Sequence, residues 1–336
     1  MVITEEGTIT TRARRDWVEL LREGDLVIAN DAATMPASLR ATHLASGRAI
    51  EIRLAARRSL DPDDLVFDAV IFGEGDHRTR TEDRKEPPRL EPGDRLAIEG
   101  TTLTVGVLAR LGHRRFVRLV FHADPRAFWS MLARLGRPVQ YAHVPEPLRL
   151  WDVWTVLAGP PVAFEPPSAG FVLDWASLDA IRARGAGFAT LTHAAGLSST
   201  GDPKLDARLP LDEPYAIPAA TAHAILEARA RGGRVIAIGT TVVRALEHAV
   251  SDGPLTGERR GVADQRIGAA STIRALDVIV SGTHEPGTSH RELLRAFASD
   301  EVLTRADHAL AEQRFRTHEF GDSVWIEASR GGARKP

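Results

Sequence analysis

The chain has 336 residues, 43% of them hydrophobic, which is enough for one large core or two of medium size. Net charge is −2 at pH 7, so composition gives no global pull toward nucleic acid or a membrane surface, and only Lys85, Lys204 and Lys335 among the 43 basic residues are lysines, a skew that reads as genome composition rather than an RNA-binding face. Cysteine is absent, which excludes disulfides, thiolate metal sites, iron–sulfur clusters and a cysteine nucleophile.

Residues 1–16 read as a polar, weakly anchored lead-in without the apolar run of a signal peptide. No later segment reaches membrane-spanning length, so the expectation is a soluble, cytoplasmic protein, a monomer or weak homo-oligomer with no membrane contact. Trp17–Glu23 has helical spacing and stops at Gly24; residues 25–30 then read as a buried strand. Short alternating segments follow, at Ile50–Leu54, Leu65–Ile71, Arg95–Ile98, Thr101–Val107 and Phe116–Phe121. Turn residues separate them, the pattern of a small antiparallel β-barrel whose charged tip, Gly75–Leu90, is expected to be mobile.

Asp124–Leu135 returns to helical spacing and ends at Gly136, and a Pro-rich stretch from Pro138 to Pro167 leads into a β/α alternation. Helices are predicted at Asp174–Arg184, Thr221–Arg231, Thr241–Ser251 and Ser289–Ser299, with Asp174 and Thr221 as caps. Strands are predicted at Gly187–Thr192, Arg234–Ile238, Leu276–Val280 and Ser323–Glu327. The fold class is therefore α/β: a mixed sheet flanked by helices, with an inserted antiparallel barrel. The α/β domain spans residues 1–36 and 124–336 and the barrel spans 37–123. No internal repeat is present.

Four segments carry chemistry. In Arg234-Val-Ile-Ala-Ile-Gly239-Thr240-Thr241-Val-Val-Arg244, a strand, a Gly turn and a helix start could hold a carboxylate or ribose hydroxyls, with Arg244 one turn inside the helix; equally, Gly239 makes the turn, a threonine caps the helix, and Arg244 is a surface residue or a partner of Glu247. Ser281-Gly282-Thr283-His284 puts a histidine where open α/β sheets bind ligands, although most lone loop histidines have no such role. Ser168-Ala169-Gly170 permits close approach of a planar ring, or is a tight turn. Thr192-His193-Ala194-Ala195-Gly196 follows a strand, with Asp212 and Glu213 supplying carboxylates downstream. There is no Walker A loop, Gly-x-Gly-x-x-Gly, His-Glu-x-x-His or Gly-x-Ser-x-Gly, and the 12 histidines lack metal-ligand spacing, so no metal is predicted.

In order, these segments resemble the S-adenosylmethionine:tRNA ribosyltransferase-isomerase family of queuosine biosynthesis: a strand ending in Asn30, a β-rich insertion, Pro167-Ser168-Ala169-Gly170, the Gly233–Glu247 run, His284-x-Pro286, and Phe320-Gly321-Asp322. The resemblance runs from about Trp17 to about Glu327 and is strongest over 230–250. It implies transfer and isomerisation of the ribosyl moiety of S-adenosylmethionine, the co-substrate, onto the aminomethyl group of a deazaguanine in tRNA, with loss of adenine and methionine. It implies S-adenosylmethionine contacts from Ser168, Ala169, Gly170, His193, Gly239, Thr240, Thr241 and Arg244. Acid/base work would fall to His284 and Glu213, and acceptor contacts to Asn30 and Thr283. The family's Asn-Asn-Thr-Arg-Val-Ile-Pro-Ala-Arg is Asn30-Asp31-Ala32-Ala33-Thr34-Met35-Pro36-Ala37-Ser38 here, without either arginine. Its N-terminal Leu-Pro…Pro…Arg segment has no counterpart before Trp17. Segments shaped for the co-substrate are thus better kept than those toward the acceptor, which leaves a paralogue acting on a small molecule, or a non-catalytic S-adenosylmethionine-binding protein, as alternatives to the tRNA-modifying enzyme.

Overall fold

Leu26, Val27, Ile28 and Ala29 are at most 3% exposed, as a strand covered on both faces must be. They lie at the centre of a nine-stranded mixed sheet in the computed structural model, which describes residues 1–284, 287–316 and 320–329. Glu285 and Pro286 of the histidine loop lie outside the described residues.

In chain order the strands are β1 (Val2–Ile3), β2 (Ile9–Thr10), β3 (Leu26–Asn30), β4 (Ala33–Thr34), β5 (Ser38–His43), β6 (Arg48–Ala56), β7 (Val66–Phe72), β8 (Arg95–Ile98), β9 (Thr104–His113), β10 (Phe116–Phe121), β11 (Pro161–Ala163), β12 (Gly187–His193), β13 (Glu213–Ile217), β14 (Val235–Ile238), β15 (Arg259–Ala263), β16 (Val278–Gly282) and β17 (Ser323–Glu327). The helices are α1 (Pro125–Leu135), α2 (Trp175–Ala183), α3 (Pro203–Asp206), α4 (Ala219–Ala230), α5 (Thr240–Ala249), α6 (Ser289–Leu294) and α7 (Asp300–Glu312). The large sheet runs β15-β13-β12-β3-β14-β16-β17-β1-β2. Its centre, β12, β3, β14 and β16, is parallel, so four strand C-termini open toward one edge.

Alternation along these strands feeds two cores. Leu26, Ile28, Val235, Ala237 and Ile279 pack with α4 through α7, whereas Val27, Ala29, Ile236, Ile238, Val278 and Val280 pack with Trp17, Ile181 of α2 and the turn at Ser168–Val172. The barrel closes in the order β10-β7-β6-β5-β8-β9. Phe128, Met131 and Leu132 of α1 fill its end, where Phe67 stacks on Phe128 with ring centres 5.5 Å apart. The expected α/β sheet with an antiparallel barrel is the architecture observed.

Several local expectations change. Residues 1–16 are not a loose lead-in: Val2 and Ile3 are buried and pair in parallel with Trp325 and Ile326 of β17. Trp17 sits in a 3-10 turn, Arg14–Leu20, rather than an α-helix. The Gly75–Leu90 tip packs down on the barrel, because Arg84 is buried and donates to Glu51 Oε2 at 2.5 Å and to the Gly73 carbonyl at 3.0 Å. Asp174 caps α2 as expected, but Thr221 caps nothing; α4 starts two residues earlier and the Thr221 hydroxyl donates to the Thr190 carbonyl at 2.6 Å. The helix expected at Ser289–Ser299 ends at Leu294 as α6, capped by Thr288, and α7 (Asp300–Glu312) was not expected.

Candidate active site

The C-terminal ends of the parallel strands, the barrel and the segment joining barrel to sheet enclose a cavity of about 900 Å³. That is the position at which open α/β sheets collect ligands. Gly239, Thr240 and Thr241 form one wall where β14 passes into α5. Gly239 has φ +96°, which a side chain rarely adopts, and a Cβ there would stand 3.2 Å from the Ala169 Cβ; glycine makes both the turn and the close approach possible. No side chain caps α5. The first amides of any helix have no carbonyl four residues back, so this end presents donors and the positive end of the helix dipole to the cavity. Thr240 and Thr241 do not act as caps.

Ser168 and Ala169 line the cavity beside this turn. Gly170 does not: it lies behind them, where a Cβ would stand 2.8 Å from Thr155 Cγ2. His284, in the loop after β16, faces the cavity, with its ring stacked on that of His290 from α6, centres 4.5 Å apart and planes 14° from parallel. Burial, then the nearby His290, holds the His284 pKa well below the ordinary imidazole value. Burial, then Arg244, lowers His290 to about 4. Both rings are therefore neutral near pH 7 and able to accept a proton.

Glu213 and Arg244 reach the cavity but not as expected. Arg244 is neither a surface residue nor a partner of Glu247; it is buried, its Nη1 donates to Glu213 Oε2, and its Nη2 donates to the carbonyls of Ala263 at 2.6 Å and Leu211 at 3.1 Å. Burial lowers its pKa to about 10. The other Glu213 oxygen accepts from the Gly196 amide at 2.5 Å. Glu213 is thus engaged by a buried guanidinium, and Arg244 keeps one donor, Nε, without a hydrogen-bond partner at the cavity floor.

Three further expected contacts lie behind the wall. His193 is wholly buried, with Nε2 3.5 Å from Glu213 Oε2, and burial, then Arg244, holds it neutral. Asn30, also buried, accepts the His193 amide at 3.0 Å and donates to the His193 carbonyl at 2.9 Å and to Thr241 Oγ1 at 3.4 Å, so it fixes the turn rather than meeting an acceptor. Thr283 is buried on the opposite side of its loop, its hydroxyl donating to the Arg316 carbonyl at 2.9 Å.

Sequence reasoning missed His290 and Glu165. Glu165 lines the cavity, accepts from the Tyr141 hydroxyl and from the Ser198 amide at 3.1 Å, and is brought there by the parallel pairing of β11 with β4. The Pro-rich composition of that stretch hid the strand; the adjacency of Glu165 to Ser168 was the available signal. Thr81 and Glu82 from the barrel tip and Phe320 from the Phe-Gly-Asp segment complete the enclosure. Among the described residues no group of three or more His, Cys, Asp or Glu is arranged to hold a metal ion, and no helix is long and apolar enough to cross a membrane.

The chain matches the family model described as queuosine biosynthesis protein over residues 1–326. The S-adenosylmethionine:tRNA ribosyltransferase-isomerase of Citrifermentans bemidjiense is 32% identical over 90% of this chain and 84% of its own length. The enzyme of the same name from Thiobacillus denitrificans is 30% identical over 97% of this chain and 89% of its own. The crystal structure of S-adenosylmethionine tRNA ribosyltransferase from Thermotoga maritima aligns with 97% of this chain and 90% of its own, at 23% identity and a TM-score of 0.50, a likeness of fold.

Proposed function

Because the chain belongs to the queuosine biosynthesis protein family, we propose that it is an S-adenosylmethionine:tRNA ribosyltransferase-isomerase, a soluble cytoplasmic enzyme that transfers and isomerises the ribosyl moiety of S-adenosylmethionine onto a 7-aminomethyl-7-deazaguanine in tRNA. The observation that carries this reading is the convergence of the uncapped start of α5, the Ser168–Ala169 turn and a neutral His284 on one cavity of about 900 Å³. That volume accommodates a nucleoside with an amino-acid arm.

In this reading the amides and hydroxyls at Thr240 and Thr241 receive the methionyl carboxylate, and Ser168 and Ala169 pack against the nucleoside. Arg244, fixed by Glu213, holds the cavity floor with its unpartnered Nε as a further donor toward the ligand. The sulfonium acidifies the adjacent ribose carbon, and His284 accepts the proton from that carbon. Methionine and adenine leave as the ribosyl carbons rearrange on the acceptor amine. The domain division, with the barrel at 37–123 inserted between 1–36 and 124–336, gives the barrel a role in the site through Thr81 and Glu82, which line the cavity.

Calorimetry with S-adenosylmethionine tests the pocket, and heat of binding that vanishes with excess S-adenosylhomocysteine is expected. No heat at any concentration would remove the reading. Turnover with a small aminomethyl-deazaguanine but not with precursor tRNA would move the acceptor assignment from tRNA to the free base.

A further inference from the structure

We propose that His290 is a positioning residue for the reaction: its ring, stacked on His284, fixes the plane of that imidazole and keeps the pair from holding more than one proton. The two rings come from different elements, the loop after β16 and the second residue of α6, yet their centres are 4.5 Å apart and their planes differ by 14°. Both rings line the cavity. A flat neighbour at this distance restricts the otherwise broad ring torsion of a histidine.

Electrostatics sets the proton count. Two parallel imidazolium rings in contact repel, and Arg244 of α5 further disfavours a charge on His290. Arg244 itself is paired with Glu213 of β13. The other titratable or charged groups sharing the cavity among the described residues are Tyr141, His143 and Glu165 on the joining segment, and Arg80 and Glu82, ion-paired with each other on the barrel. When the ribose carbon beside the sulfonium gives its proton to His284, the electron pair stays on that carbon and one positive charge appears on the imidazole. His290 remains neutral and offers its π face to that charge.

The proposal rests on His284 being the proton acceptor, so the test reads the pair both with and without turnover. Imidazole nitrogens of the wild-type protein, His290→Phe and His290→Ala would be titrated by NMR without substrate, and kcat/KM followed against pH. Phenylalanine keeps the stack and removes the second titrating ring. His284 is expected to titrate at higher pH in His290→Phe, with the acid limb of kcat/KM moving by the same amount. Loss of the stack in His290→Ala is expected to lower kcat by about 10²-fold with a smaller effect on KM, the scale of a misplaced reacting group. An unmoved His284 midpoint in His290→Phe together with wild-type kcat in His290→Ala, with His284→Ala inactive, would overturn the role of His290 alone. Full turnover in His284→Ala would remove the acceptor assignment and the positioning role with it.

Discussion

Glu213 and Arg244, 31 residues apart in sequence, meet as a buried ion pair at the floor of the cavity, the first on an antiparallel strand and the second inside α5. The pair ties the β13 side of the sheet to the helix whose first turn faces the ligand. Removing one partner leaves the other charge buried and uncompensated, at a cost of about 3–5 kcal/mol. Arg244→Met is therefore expected to lower unfolding free energy by about that amount, and Glu213→Gln with Arg244→Met by less than the sum of the two single changes. Urea denaturation of the three variants measures this; additive losses would show that the two groups are not coupled.

The turn at Gly239 is where sequence, backbone and ligand coincide. Gly239→Ala places a side chain at φ +96° and against Ala169, a strain of about 1–3 kcal/mol that displaces Thr240 and Thr241. Affinity for S-adenosylmethionine is expected to fall at least about tenfold, each 1.4 kcal/mol being one decade. Calorimetry on the variant checks this, and wild-type affinity would separate the turn from the ligand.

The parallel centre of the sheet and this turn were legible in the sequence because strands buried on both faces must be apolar throughout, as in Leu26–Ala29 and Val235–Ile238. The barrel was legible from alternation and turn residues. Val2–Ile3 and Glu213–Ile217 were not: the first is two residues long and owes its place to β17, more than 300 residues away, and the second opens with Glu-Pro. Ser168, Thr240 and His284, which the sequence singled out, do line the cavity, but the partners of the site residues were not legible. Nothing local in Arg244 announces that Glu213 and two carbonyls absorb its donors, and nothing local in His290 announces a ring stacked on His284.

Acid stability follows from the buried histidines. The folded-state pKa values of His193, His284 and His290 lie below the ordinary imidazole value of 6.5, so in the window below it the unfolded chain binds more protons than the folded one. Their contribution to stability is complete above about pH 6.5 and is lost as pH falls, for His290 down to about 4. Between pH 7.5 and 4.5 the wild type is expected to lose about 1–2 kcal/mol more than His290→Phe, after allowing for the partial exposure of the ring. Parallel losses in urea titrations at the two pH values would contradict this.

Glu51 bridges two buried arginines of the barrel, Arg53 Nε at 2.7 Å and Arg84 Nη1 at 2.5 Å, and Arg84 anchors the segment that carries Thr81 and Glu82 to the cavity. Glu51→Leu is expected to cost about 3–5 kcal/mol and to raise the KM for S-adenosylmethionine, since the anchored segment loses its tie. Thermal unfolding and steady-state kinetics read the two effects. An unchanged KM in a destabilised variant would show that the barrel tip does not contribute to the site.

The central claim is that this cavity converts S-adenosylmethionine on a tRNA acceptor, and the most direct measurement is product release. Purified protein mixed with S-adenosylmethionine and tRNA bearing 7-aminomethyl-7-deazaguanine is expected to liberate adenine and methionine in equal amounts, matching the number of tRNA molecules modified, with none released when His284 is alanine. Binding of S-adenosylmethionine without adenine release from any such mixture would contradict the account.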